Sequence, residues 1–297
     1  MLGLSQLRVF EAVTRTGSFS LAAQRLHVTP PAVSLQIRQL EEQYGVRLFE
    51  RIRRHVRLTP AGEALRQYAQ RIFALADDAE RTLQGASDFN GIRLRIAATP
   101  TTAGYYLAPF WKAVRRRCPG LRLELSVHNS RIVKERLLAL EDDLGMLGGE
   151  ADHPDLLLQP FARNALVAIV SPEHAWARRA WVAVRALGDQ PLILREPGSE
   201  GRALVERELK KAGIEPRIVM EVTSTEAVKQ AVEAGAGVGI LATAVVRRDV
   251  GGRYLRALSI RGGNFVMTLS LAYHRERRDS PLLRAILGAV QPRARRR

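Results

Sequence analysis

Cysteine is nearly absent from this 297-residue sequence: Cys118 stands alone. It allows no internal disulfide, and within RRRCPG it reads as a structural or incidental thiol. No run of about 18 consecutive apolar residues occurs, so no membrane-spanning helix is expected. The opening MLGLSQLRVFEAV lacks a basic segment leading into an apolar one and a cleavage site, so no secretory leader is expected and the chain is read as cytoplasmic. There is no P-loop and no G-x-S-x-G elbow. The six histidines, His27, His55, His128, His153, His174 and His274, form no close pair with metal-ligand spacing, and one cysteine supplies no zinc cluster. GAGVGI has glycines at 235, 237 and 239, yet it follows a helix-like run and precedes a strand-like one, the reverse of a dinucleotide fingerprint. No catalytic residue, no metal site and no cofactor are expected, and the chain is not read as an enzyme.

What is present is ordinary for a globular protein, with 46% hydrophobic and 26% charged residues. The length suits two folded units and a connector. A net charge of +16 points to a polyanionic partner. Its distribution does not locate the site: residues 1–58 carry nine arginines against four glutamates, whereas residues 59–90 carry three arginines against five acids.

Residues Leu4, Leu7, Phe10 and Val13, widened by Val9 and Ala12, form the apolar stripe of a first helix ended by Gly17. Ser18 caps a short helix over Phe19–Leu26, where Ala22 and Ala23 permit close crossing. After a turn at His27 and Val28, Thr29 caps a third helix whose first positions, Pro30 and Pro31, fall where backbone N–H groups have no intrahelical partner. Val33, Ile37, Leu40 and Tyr44 give that helix a buried face, leaving Ser34, Leu35, Arg38 and Gln39 outward. Helix, tight turn and a helix with small polar and basic side chains near its start form the geometry that enters a major groove. The stretch VRLFERIRRHVRLTP then sets Arg47, Arg51, Arg53, Arg54 and Arg57 around a two-stranded wing, suited to phosphates or an adjacent minor groove.

Thr59 and Pro60 open a long helix reaching about Ala86, with Leu65, Tyr68, Ile72, Leu75, Ala79 and Leu83 spaced by three and four. Such a stripe either packs on its own chain's core or pairs two copies. A helix joining two domains has no core of its own, which favours pairing. Beyond Gly91 strand-like and helix-like runs alternate: LRIAAT, YYLAPFWKAVRRR, LRLELSV, SRIVKERLLALE and DLGMLGG, then ALVAIVSP, PLILRE, ALVERELKKAG, IVMEVTS, TEAVKQAVEAG and VGILAT, closing on FVMTLSLAYHR and PLLRAILGAV. This is a mostly parallel α/β pattern in two cycles, with the last strand returning to the first lobe. The closing PRARRR reads as a solvated end.

The string LRVFEAVTRTGSFSLAAQRLHVTPPAVSLQIRQLEEQYGVRLFERIRRHVRLTPAGEAL resembles the LysR-type regulator signature over nearly its full length. The resemblance implies an α + α/β organisation: a winged helix-turn-helix at residues 1–58, a dimerising linker helix at 59–90, and a periplasmic-binding-protein-like regulatory domain at 91–297. Its lobe I would cover about 91–163 and 265–297, and lobe II about 164–264. It implies DNA contacts at Thr29, Pro30, Pro31, Ser34, Leu35, Arg38, Arg53 and Arg54. Pro30 stands where glutamine is frequent and Leu35 where a basic residue is, so thymine-methyl contact and shape readout would carry more of the recognition. The implied partners are double-stranded DNA with an interrupted inverted repeat, a second copy of the chain in a dimer or dimer of dimers, and RNA polymerase as a further candidate.

The same resemblance places effector contacts at Thr101, Thr102, Asn129, Ser130, Gly198, Ser199 and Arg202. Hydroxyls and free N–H groups at helix starts suit a carboxylate, phosphate or sulfate, so a small anionic metabolite is expected as effector. VSLQIRQLEEQ is similar to carbon-fixation regulators in the family, which suggests a sugar phosphate or related anion. Departures occur here too: Pro100 replaces a common serine, and REPGSEGR carries Glu200 and Gly201 where REPGSGTR is usual. Glu200 would repel an anion if it faced the cleft. A DNA binder without a ligand would not need so long a C-terminal portion.

Overall fold

The computed structural model describes residues 2–52, 55–84, 89–150 and 152–290. Arg53, Arg54 and the PRARRR tail lie outside them. The chain divides into two compact units, Met1–Glu80 and Arg81–Arg297.

In the first unit, α1 (Leu4–Thr16), α2 (Phe19–Leu26) and α3 (Pro30–Tyr44) enclose Leu7, Phe10, Val13, Ala22, Ala23, Val33, Ile37 and Leu40. Two expected core positions differ. Leu4 is 62% exposed and Tyr44 49% exposed, because each lies in an outer turn beyond the crossing of the three helices. The wing is an antiparallel pair, β1 (Phe49–Ile52) and β2 (His55–Leu58), in the register Phe49 opposite Leu58. Phe49 fastens it to the helices, its ring 5.3 Å from Phe10 and 5.7 Å from Phe19.

The long helix α4 (Pro60–Gln84) follows at once. Thr59 caps it, accepting from the Gly62 N–H at 3.0 Å, and donates its own hydroxyl to the Arg47 carbonyl at 2.6 Å. At Gly62 a Cβ would stand 2.1 Å from the Leu48 carbonyl oxygen, so only glycine lets the helix rest on the wing. The apolar stripe of α4 splits. Leu65 and Ile72 pack with Ala69 and Phe73 against the core of the first unit, whereas Tyr68, Leu75, Ala79 and Leu83 are exposed. Leu65 and Ile72 are therefore core positions, not an open seam.

The second unit holds a ten-stranded mixed sheet in two halves. Lobe I has β3 (Arg93–Ala98), α5 (Pro100–Tyr105), α6 (Leu107–Arg117), β4 (Arg122–Val127), α7 (Ser130–Leu138) and β5 (Leu144–Gly148), with β3 parallel to β4 and β5. The long strand β6 (Leu156–Val170) then crosses over. Lobe II follows with β7 (Trp181–Ala183), β8 (Leu192–Arg195), α8 (Glu200–Lys211), β9 (Ile218–Val222), α9 (Thr225–Glu233), β10 (Val238–Ala242), α10 (Thr243–Gly251) and β11 (Arg256–Arg261). β12 (Val266–His274) returns to lobe I, antiparallel to β5 and to residues 156–165 of β6, and α11 (Pro281–Ala289) closes it. Beyond Ala165, β6 pairs with β10 and β11 instead. That change of partners, with Leu166 N–H donating to the Phe265 carbonyl at 2.7 Å, marks the passage between lobes. Among the described residues no helix is long and apolar enough to cross a membrane.

Candidate DNA-binding surface and effector cleft

Thr29 accepts from the Ala32 N–H at 3.4 Å, fixing the start of α3, and the two prolines follow it. Thr29, Pro30, Pro31, Leu35 and Arg38 are exposed and Ser34 half-buried, while Val33 and Ile37 point inward. The α3 side chains therefore form one outward strip. The expected wing contacts Arg53 and Arg54 fall outside the described residues. Glu41, which sequence reasoning passed over, joins strip to wing. Its buried carboxylate accepts from the Leu48 N–H at 2.7 Å, the Phe49 N–H at 3.3 Å and Arg47 Nη1 at 3.2 Å. A glutamate in a run reading LEEQYG carries no visible sign of that role, because its partners lie across a turn.

In the second unit four helices begin around a cleft between the lobes. Thr99, Pro100 and Thr101 start α5, and Asn129 and Ser130 start α7. Ser199, Glu200, Gly201 and Arg202 start α8, and Thr225 starts α9. The floor is apolar, with Leu166, Leu194, Val205, Ile240 and Met267. Helix starts aim unpaired N–H groups at the space between them. Asn129 is occupied in part, capping α7 by accepting from the Ile132 N–H at 3.0 Å. Ser199 is the N-cap of α8 yet makes no side-chain capping bond, which leaves its hydroxyl for another partner.

Two expected contacts do not line this cleft. Thr102 is fully buried, and its hydroxyl donates to the Met146 carbonyl at 2.5 Å while its backbone N–H donates to Thr99 Oγ1 at 3.4 Å. It builds the capping box of α5 and holds that turn to β5. Gly198 lies outside, where its carbonyl accepts from the Arg131 N–H at 3.2 Å and ties the lobes together across the cleft mouth.

Charge in the cleft is largely internal. Arg195, only 9% exposed, donates through Nε and Nη2 to Glu196 at 2.8 and 3.0 Å and through Nη1 to Thr225 Oγ1 at 2.8 Å. Arg202 is held by Glu206 at 2.7 Å, by Glu221, and by the Arg195 carbonyl at 2.9 Å. Burial works against its charge, but the bonds from Glu221 and Glu206 prevail and raise its pKa. Glu200 faces the cleft and has no hydrogen bond or ion pair among the described residues. Its carboxyl lies against Gly149, where a Cβ would come within 2.4 Å of Glu200 Cδ and where φ is +99°. Burial pushes the Glu200 pKa above the usual carboxylate value, opposed by Lys134 and Arg207. Sequence reasoning located Thr101, Asn129, Ser130, Ser199 and Arg202 at the cleft and missed Arg195 and Thr225, which only the sheet topology brings in. No group of acids, histidines or cysteines able to hold a metal ion occurs among the described residues.

Residues 4–63 match the family model "Bacterial regulatory helix-turn-helix protein, lysR family", and residues 89–295 match "LysR substrate binding domain". The chain is 34% identical over 287 residues to the RuBisCO operon transcriptional regulator of Acidithiobacillus ferrooxidans, covering 96% of this chain and 92% of the relative. Among solved structures it is similar to full-length CbnR complexed with its target DNA, at 26% identity and a TM-score of 0.65, over 97% of this chain and 99% of that one. It is also similar to the regulatory domain of Synechocystis PCC6803 CcmR in complex with 2-PG, at 27% identity and a TM-score of 0.61, over 67% of this chain and 95% of that one.

Proposed function

Because the chain belongs to the LysR family of DNA-binding transcriptional regulators, we propose that a small anionic metabolite bound between its lobes changes how it activates or represses promoters. The observation that carries this reading is the convergence of four helix starts on one cleft, with the Ser199 hydroxyl uncommitted. An anion there is held by backbone N–H groups and hydroxyls, since both cleft guanidiniums already serve glutamates. Thr101, Asn129, Ser130 and Ser199 are its direct contacts, and Arg195 positions Thr225 for it. The 2-PG bound by the similar CcmR domain makes that compound a first probe.

The regulator acts on DNA in the cytoplasm as a dimer or dimer of dimers on an interrupted inverted repeat. The exposed strip of α3 enters the major groove, and residues 53 and 54 of the wing reach the flanking backbone. The pairing surface is the outward edge of α4 at Tyr68, Leu75, Ala79 and Leu83.

The test of the effector reading is thermal unfolding of the full chain with 2-PG, inorganic phosphate, sulfate and uncharged analogues. A true effector at about a hundred times its Kd stabilises by about 2.7 kcal/mol. Stabilisation by neutral compounds alone would overturn the anionic assignment. For DNA, genomic fragments recovered at physiological salt share an interrupted repeat, and Ser34→Arg changes which fragments are recovered; recovery without preference would sink the recognition surface.

A further inference from the structure

Outside the cleft, lobe I carries a surface of a different kind. Residues 89–123 contain seven arginines and lysines and no aspartate or glutamate, and residues 280–297 contain five arginines and again no acid. The fold joins the first of these stretches to the described part of the second, residues 280–290. Phe110 and Val114 of α6 and Leu283 and Ile286 of α11 enter one core, and Arg117 Nη1 donates to the Gly288 carbonyl at 3.4 Å. Lys112, Arg115 and Arg116 are exposed on the side of α6 away from Phe110 and Val114. Arg284, one turn before Gly288, and Arg122 at the start of β4 are exposed as well.

None of these cations has an acid within ion-pair distance among the described residues. Glu124, the first acid after the stretch, is taken by Arg93 at 3.2 Å. Elsewhere in the unit some helix cations are paired, as in Arg131 with Glu135, Lys134 with Asp152 and Lys211 with Glu208, whereas α6 gathers its unpaired cations on one face of one helix. No large apolar side chain of α6 or α11 is exposed among the described residues. A protein partner of useful affinity needs an apolar or aromatic anchor at the centre of its footprint. A phosphate backbone needs only unpaired cations, and guanidinium suits it best.

We propose that the outer face of α6, with Arg122 and Arg284, is a second DNA contact that binds the phosphate backbone of duplex outside the segment read by the recognition helices. It rests on the family's DNA binding and not on the effector assignment. It is independent of base sequence, so its mark is salt dependence rather than specificity.

The test uses the full chain on a long random-sequence duplex, measuring affinity over a range of salt. Neutralising Lys112, Arg115, Arg116 and Arg122 to glutamine is expected to reduce the slope of log affinity against log salt by about 3.6, at about 0.9 for each phosphate the protein no longer neutralises. The same treatment of Lys210, Arg217, Arg248 and Arg253, exposed on lobe II, leaves it within about 1 of the parent. Arg115→Lys with Arg116→Lys and Arg122→Lys keeps the parental slope. If the glutamine variant does not fold, Arg115→Glu with Arg116→Glu carries the test, with an expected reduction of about 2. Equal reductions from both glutamine sets, or none from the α6 set, overturn the proposal. So does a variant that keeps its slope but no longer binds RNA polymerase, which would make this face a protein-docking surface.

Discussion

The interlobe cleft and the outer face of α6 both display arginines, but they use them oppositely. In the cleft Arg195 and Arg202 are surrounded by Glu196, Glu206 and Glu221, so their charge organises the walls. On α6 the cations have no acid beside them among the described residues, and their charge reaches outward. A small ligand enclosed by helix starts needs direction more than net charge, because a few aimed N–H groups discriminate shape. A polymer needs summed charge and little direction. Basic residues alone therefore do not identify an anion site; their partners do.

The sharpest way to break this contrast is Arg195→Leu. If Arg195 is a wall residue, removing it leaves the half-buried Glu196 without its cation and costs about 3 kcal/mol in urea unfolding. Arg116→Gln on α6 changes stability by no more than about 0.5 kcal/mol. Unchanged stability in the Arg195 variant, with only ligand binding abolished, would make it a direct effector contact and erase the distinction.

Ser199→Ala comes next. Its hydroxyl makes no capping bond, so stability stays near the parent while effector affinity falls about tenfold, the worth of roughly 1.5 kcal/mol for a hydrogen bond to a charged group. Thr102→Val gives the opposite pattern, with a lower melting temperature from the lost α5 capping box and the lost hydroxyl bond to the Met146 carbonyl, which keeps only the Thr99 N–H. Calorimetric titration beside thermal unfolding separates the two; matching profiles would undo the assignment of Thr102 to the scaffold.

The smallest expected effect belongs to Glu200→Gln. Burial raises the Glu200 pKa above the ordinary carboxylate value, so in the parent the favourable neutral form is present at low pH and is lost as pH rises through the raised value. The variant should thus melt higher than the parent at pH 7 and converge with it as pH falls toward the ordinary carboxylate range. Anion affinity should follow the same course, higher in the variant at neutral pH by a few-fold and equal in acid. A gain that grew on acidification would place Glu200 elsewhere than the cleft.

Much of the architecture was legible because it is local. Caps at Ser18 and Thr29 announce helix starts, and alternating apolar runs announce β3 to β5. The place of Ser199 at the cleft comes from the resemblance to the LysR family, since the local pattern begins that helix only at Ala203. What escaped depends on packing between distant segments. Thr101 and Thr102 are identical neighbours, and only the approach of β5 decides that one faces the cleft and the other Met146. Leu65 and Ile72 share a period with Leu75 and Leu83, yet the three-helix core reaches only the first part of α4. Arg195 ends a plain apolar strand, and α10, with its TAVVRRDVG, lacks a capping side chain to mark it.

The close approach at Gly62 has a mechanical consequence. With no side chain between α4 and the Leu48 carbonyl, the first turn of the linker cannot slide or tilt without displacing the β1–β2 hairpin. Linker and wing form a lever with no slack at its fulcrum. If two copies pair along the far part of α4, any change in their crossing angle is passed undamped to the wings, and the distance between the two half-sites that can be gripped changes with it.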